Sequence, residues 1–147
     1  MLNIIIYLII LALLLAKLEL QIEGNRFGWA SKLPCWTFEN SLTELFLGKK
    51  PLTGYHTWLV TLFFLLFHNI FLFISWTINK EFFTLGLFSI FWVLEDWFWF
   101  LLNDYYGLKN FKKGRIFWHK RWFLGLPTSY WEAIILSSVL LILGYVI

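Results

Sequence analysis

Apolar residues in this chain come in four long runs, separated by stretches where polar residues, glycine and proline gather. The runs cover about 2–20, 57–77, 82–102 and 130–147, each close to the roughly 20 residues a helix needs to cross a bilayer. Backbone N–H and C=O groups find no water in hydrocarbon, so each run has to close its own hydrogen bonds as a helix. Pro34, Pro51 and Pro127, the three prolines, all fall between the runs and leave the helices uninterrupted. No segment alternates apolar and polar residues in the manner of a membrane barrel. Met1-Leu2-Asn3 carries no basic residue and no small-x-small cleavage site precedes Lys17, so the first run is expected to stay as a helix. The expected fold is all-α: one polytopic membrane domain of four transmembrane helices.

Composition agrees. Hydrophobic residues make up 60% of the 147 and charged residues 14%, against roughly 45–50% and about 25% in soluble domains. That excludes a water-soluble globule and a disordered chain alike. One cysteine, Cys35, leaves neither an intrachain disulfide nor a cysteine-built metal site.

Charge then orients the spans. The first connecting loop carries Lys17, Arg26, Lys32, Lys49 and Lys50, and the third carries Lys109, Lys112, Lys113, Arg115, Lys120 and Arg121. Lys80 stands alone on the opposite face, a bias of eleven to one. The positive-inside rule places both long loops in the cytoplasm and both termini on the non-cytoplasmic side. The same bias disfavours a dual-topology dimer. Within loop one, Ser41-Leu42-Thr43-Glu44 reads as a capping box and Leu42, Leu45 and Phe46 form an apolar stripe, which predicts an interfacial helix over about 42–47. Ser129-Tyr130-Trp131-Glu132 reads as a second capping box at the start of the fourth span.

The third span holds the chemistry. Glu95 and Asp96 are adjacent among Phe, Leu, Ile, Val and Trp. An acid at mid-span costs about 2.5–3.5 kcal/mol, while each Leu, Ile, Phe or Val returns roughly 0.3–0.6. The thirteen such residues of the span therefore come near to cancelling the two acids. Such acids need shielding, protonation or a partner, and intramembrane carboxylates mark functional sites by default. Trp92, Asp96, Trp99 and Asn103 fall at i, i+4, i+7 and i+11, one helical face, with Asp96 about 10 Å below Asn103. Glu95 points about 100° away, which predicts a different job. Glu19, Glu23 and Arg26 near the end of the first span, His56 at the start of the second and His119 in the third loop converge on the same side. His68-Asn69, read as midway along the second span, lies too deep to join them. The competing reading is structural: the acids pair with Arg26 or a loop lysine, or bond a Trp indole, and the tryptophans merely pack.

These residues predict a cytoplasm-facing polar cavity for a lipid-like or cationic amphiphilic ligand. Asp96, Glu95, His119 and His56 are the acid–base candidates, and Trp92, Trp99, Asn103, Glu23 and Arg26 the ligand-binding ones. Lys112, Lys113, Arg115, Lys120 and Arg121 are expected to meet anionic lipid headgroups. His56 and His119 with a carboxylate make a metal-ligand set by type, without the helical spacing that would specify one. No cofactor is implied, and the basic loop has no nucleic-acid-binding motif. Trp92-Asp96-Trp99 suits protonation of a hydrophobic polyene or sterol-like molecule, because indole faces attract the developing cation. In composition and span count the chain resembles the small sterol-isomerase and carotenoid-cyclase types of membrane protein. Two other functions fit the same residues: transport of lipophilic cations, and a non-catalytic subunit of a larger membrane complex or homo-oligomer.

Overall fold

A computed structural model describes residues 2–41, 43 and 50–146. Helices dominate it: α1 (Leu2–Glu23), α2 (Gly54–His68), α3 (Ile78–Leu102), the four-residue α4 (Gly107–Asn110) and α5 (Thr128–Val146). A 3-10 turn over Asn69–Leu72 prolongs α2. With that turn counted, α1, α2, α3 and α5 are each long and apolar enough to cross a membrane. The all-α expectation holds at this level. Two antiparallel strand pairs brace the loops at one end of the bundle: β1 (Thr37–Phe38) with β2 (Leu52–Thr53), and β3 (Trp122–Phe123) with β4 (Leu126–Pro127).

Helix boundaries depart from the hydrophobic runs, and capping explains where. α2 begins at Gly54 rather than 57 because the Thr53 side chain, in extended backbone, accepts from the His56 N–H. Thr77 does the same for Lys80, starting α3 at Ile78 rather than 82. Such a cap satisfies one of the orphan donors of the first turn, so the polar residues behind it join the helix. α5 begins at Thr128, with Ser129 already inside it, so the expected capping box there is not the start. In loop one the reciprocal cap is Asn40 with Thr43, one residue earlier than expected: Asn40 Oδ1 accepts from Thr43 N–H and Thr43 Oγ1 from Asn40 N–H, both at 2.8 Å. The interfacial helix expected over 42–47 lies outside the described residues.

α3 is the central element, packed along α5 on one side and α1 on the other, with α2 touching it more lightly. Helices in lipid gain nothing from hiding apolar surface and associate by close packing and small residues instead. The α3–α5 seam follows this rule. Ser137 Oγ donates to Gly86 O at 2.8 Å and Ser89 Oγ to Ala133 O at 3.2 Å. A methyl group on Gly144 would come within 2.7 Å of the Phe83 backbone nitrogen. Against α1, the fully buried Ala12 and Ala16 admit the equally buried Phe91 and Phe100 of α3. Of α2, by contrast, only Gly54 and Phe63 are buried.

The far end of the bundle is closed by a separate cluster. His68 Nε2 lies 3.0 Å from Glu81 Oε1, and Trp76 Nε1 donates to Glu81 Oε2 at 2.8 Å. His68 therefore sits at the end of α2, tied to the α2–α3 turn, rather than midway along the span. That correction follows from the α-helix ending at His68 itself.

Candidate functional site

At the loop end, α1, α2, α3 and α5 diverge around a cavity of about 500 Å³, within the 300–1,000 Å³ range of small-molecule sites. Each helix supplies polar groups: Glu19 and Glu23 from α1, His56, Thr57 and Thr61 from α2, Glu95 and Asp96 from α3, and Ser129 and Tyr130 from α5. The loops add Lys50 and His119, and four indoles, Trp29, Trp92, Trp99 and Trp118, form much of the remaining wall. Exposed Val60 and Thr61 on α2 and exposed Ser129 on α5 belong to that wall. These exposed positions bring an edge of the cavity to the surface at α2 and α5, whose packing on each other is slight at most.

Asp96 is the best-defined group. Tyr130 donates its hydroxyl proton to Asp96 Oδ2 at 2.5 Å, and His119 Nε2 lies 3.1 Å from the same oxygen. Oδ1 takes no hydrogen bond among the described residues, yet 30% of the side chain is accessible while His119 is only 3% so. The carboxyl is thus gripped by one oxygen and presented to the cavity. His119 owes its position to the loop: Trp122 Nε1 donates to His119 O at 2.6 Å, and the imidazole ring lies against Tyr130 and Phe100.

Glu95 faces the other way round α3, toward α1, yet reaches the same cavity. Its carboxyl faces that of Glu19, whose Oε1 accepts from the Tyr55 hydroxyl at 3.2 Å. Glu95 Oε1 is buried without a partner, as are the indole nitrogens of Trp92 and Trp99.

Loop one builds the remaining wall. Trp29 and Ala30 both adopt left-handed backbone, at φ 58° and 50°, a conformation costing a non-glycine residue on the order of 1–3 kcal/mol. The bend is held from both sides: Ala30 N–H donates to Glu23 Oε1 at 2.5 Å and Trp29 Nε1 to Pro51 O at 2.8 Å. It lays the Trp29 ring flat on His56, centroids 4.2 Å apart. The Thr53 hydroxyl accepts from His56 N–H and lies 2.7 Å from His56 Nδ1. The other ring nitrogen, Nε2, lies 4.0 Å from Glu23 Oε1. Lys50 Nζ sits over the Trp29 ring, 4.1 Å from its centroid, and burial pushes its ammonium down to about 8. Gly28 crosses Trp118 so closely that any side chain would run into the ring, which fastens loop one to loop three.

Seven expected site residues meet at this cavity: Asp96, Glu95, His119, His56, Trp92, Trp99 and Glu23. Two do not. Asn103 is buried, but its Oδ1 accepts from Tyr105 and Tyr106 N–H and so builds the turn after α3. Arg26 is exposed, with its guanidinium 5.6 Å over the Tyr105 ring, so it pairs with neither acid of α3. Both acids line one cavity despite their 100° offset, as expected of the site, because the cavity spans the gap from α1 to α5. Lys112, Lys113, Arg115, Lys120 and Arg121 are all exposed and none lines it. Among the described residues no group of three or more His, Cys, Asp or Glu is placed to hold a metal ion, His56 and His119 included. Lys50 and Tyr130 join the site without having been expected there. One reads as an ordinary loop charge and the other as part of a helix start, and neither carries a local signal of its inward direction.

Comparison with protein-family models, with curated proteins and with solved structures finds no match for this chain.

Proposed function

We propose that this chain is a membrane-embedded acid–base enzyme acting on an unsaturated, lipid-like molecule. The substrate enters from the bilayer between α2 and α5. In this reading the loop end faces the cytoplasm, because ten of the twelve Lys and Arg residues belong to the sequence stretches that join α1 to α2 and α3 to α5. The observation that carries the proposal is the presentation of Asp96, held through Oδ2 by His119 and Tyr130 with Oδ1 left toward a cavity walled by tryptophan. A proton delivered from this group to one carbon of a double bond leaves positive charge on the neighbouring carbon, where an indole face stabilises it. Loss of a proton from an adjacent carbon back to the same group completes an isomerisation. The net composition is unchanged and no co-reactant is consumed.

The chemistry leaves a trace that can be followed before the substrate is identified. Membranes containing the wild-type protein, incubated in D2O, are expected to accumulate a lipid carrying carbon-bound deuterium. Asp96→Asn is expected to cut the rate by at least about a hundredfold, the usual scale of general acid–base catalysis. Equal labelling in wild-type, Asp96→Asn and protein-free membranes refutes the proposal.

A further inference from the structure

We infer that Lys50 is a covalent attachment site: its amine condenses with the carbonyl group of an unsaturated, lipid-like aldehyde to form an imine at this cavity. The inference rests on the reading above for the apolar body of the substrate and assigns its polar end. Among the described residues Lys50 is the one lysine or arginine that lines the cavity. Its Nζ rests 4.1 Å from the ring centroid of Trp29, a second lining residue, which Pro51 O holds through the indole N–H. The amine makes no ion pair or hydrogen bond with a described residue. Lys50 is half-buried, and its nitrogen is not among the water-inaccessible atoms that lack a partner, unlike those of Trp92 and Trp99. A free, accessible amine therefore stands on the cavity wall.

Burial brings that ammonium from 10.5 down to about 8, so about one amine in ten is neutral at pH 7. The neutral amine is the nucleophile. An anionic end group would share the cavity with the Asp96 carboxylate and three further carboxyl groups, and like charges in one site oppose each other. A carbonyl group meets the amine without that cost. Nζ adds its lone pair to the carbonyl carbon, the C=O π pair goes to oxygen, and the oxygen takes a proton from the nitrogen. A lining carboxyl group then supplies the proton with which the oxygen leaves as water. It takes back the last proton of the nitrogen as the C=N bond closes. Amine and aldehyde thus become imine and water, with nothing oxidised or reduced.

Farnesal, an unsaturated aldehyde, is the probe, incubated with the full-length protein in lipid nanodiscs. Sodium cyanoborohydride reduces any C=N bond to a stable secondary amine, which peptide mass mapping locates. Lys50 is expected to carry the adduct at least about tenfold more often than the exposed Lys113, because more of its amine is neutral. Lys50→Arg should abolish that adduct and leave the one at Lys113 unchanged. Ala133→Trp, which fills the cavity, should bring Lys50 down to the level of Lys113. An adduct at Lys50 no more frequent than at Lys113, or an excess untouched by Ala133→Trp, overturns the inference. Deuterium uptake scores the acid–base reading separately. Uptake that depends on Asp96 without an excess at Lys50 removes the imine alone, and the excess at Lys50 with uptake indifferent to Asp96→Asn supports the covalent site and removes the enzyme reading alone.

Discussion

Lys50 shows how an unremarkable loop charge acquires a role from where the chain folds. Its ammonium is stripped of water and rests over the Trp29 ring, and desolvation brings it from 10.5 to about 8. The folded state thus holds fewer protons at this position than the unfolded chain between those limits. Wherever the unfolded state binds more protons, stability rises with pH. Tyr106 opposes the trend near and above its ordinary 10.0, because burial pushes its phenol up and the unfolded chain loses that proton first. The clean window therefore runs from about pH 8 to 10. SDS unfolding in mixed micelles is expected to need more SDS as the pH rises across it, and Lys50→Met should flatten that rise. A profile identical in the two proteins would place Lys50 in water. Nothing in the local sequence Lys49-Lys50-Pro51 marks this lysine as different from its neighbour, since its burial depends on the left-handed bend at Trp29 and Ala30.

Whole helices are far more legible in the sequence than their ends. Hydrophobic run length finds every span, because a backbone in lipid has one way to satisfy itself. It misplaces the starts of α2 and α3 because Thr53 and Thr77 cap them through side chains that a hydropathy count ignores. Helical periodicity picks out Trp92, Asp96 and Trp99 correctly and fails at Asn103, where α3 has ended and the backbone is extended. The projected face does not continue that far. Packing between elements brings its own prediction. At Gly144 an added methyl would meet backbone of α3, 2.7 Å from Phe83 N and 2.8 Å from Asn79 O, whereas at Gly86 its closest neighbours are the Leu141 side-chain carbons, at 2.8 and 3.0 Å, with backbone nitrogen farther off at 3.1 Å. Gly144→Ala should therefore cost about 1–3 kcal/mol, the usual scale of overpacking, and Gly86→Ala less. Unfolding of the two variants in mixed micelles checks the order.

At the scale of the molecule, charge and cavity point to the same end. The nine basic residues of the two long loops that lie among the described residues and the mouth-side acids Glu19, Glu23, Glu95 and Asp96 share the loop end. The opposite end has Lys80, whose Nζ donates to Ser75 O, and Glu81, taken up by His68 and Trp76. If the loop end is cytoplasmic, a ligand reaching the cavity between α2 and α5 comes from the inner half of the bilayer. Sidedness is testable with one cysteine at a time, because Cys35 is the sole natural thiol. In a Cys35→Ser background, Ser75→Cys and Lys113→Cys place thiols at exposed positions at opposite ends. A membrane-impermeant maleimide should label Ser75→Cys in intact cells and Lys113→Cys only after permeabilisation. The reverse pattern would turn the cavity to the outer half of the bilayer. Labelling of both positions in intact cells would mean that the chain inserts both ways, contrary to the lysine and arginine bias. Either result would leave the grip of His119 and Tyr130 on Asp96 intact and change only which half of the bilayer supplies the substrate.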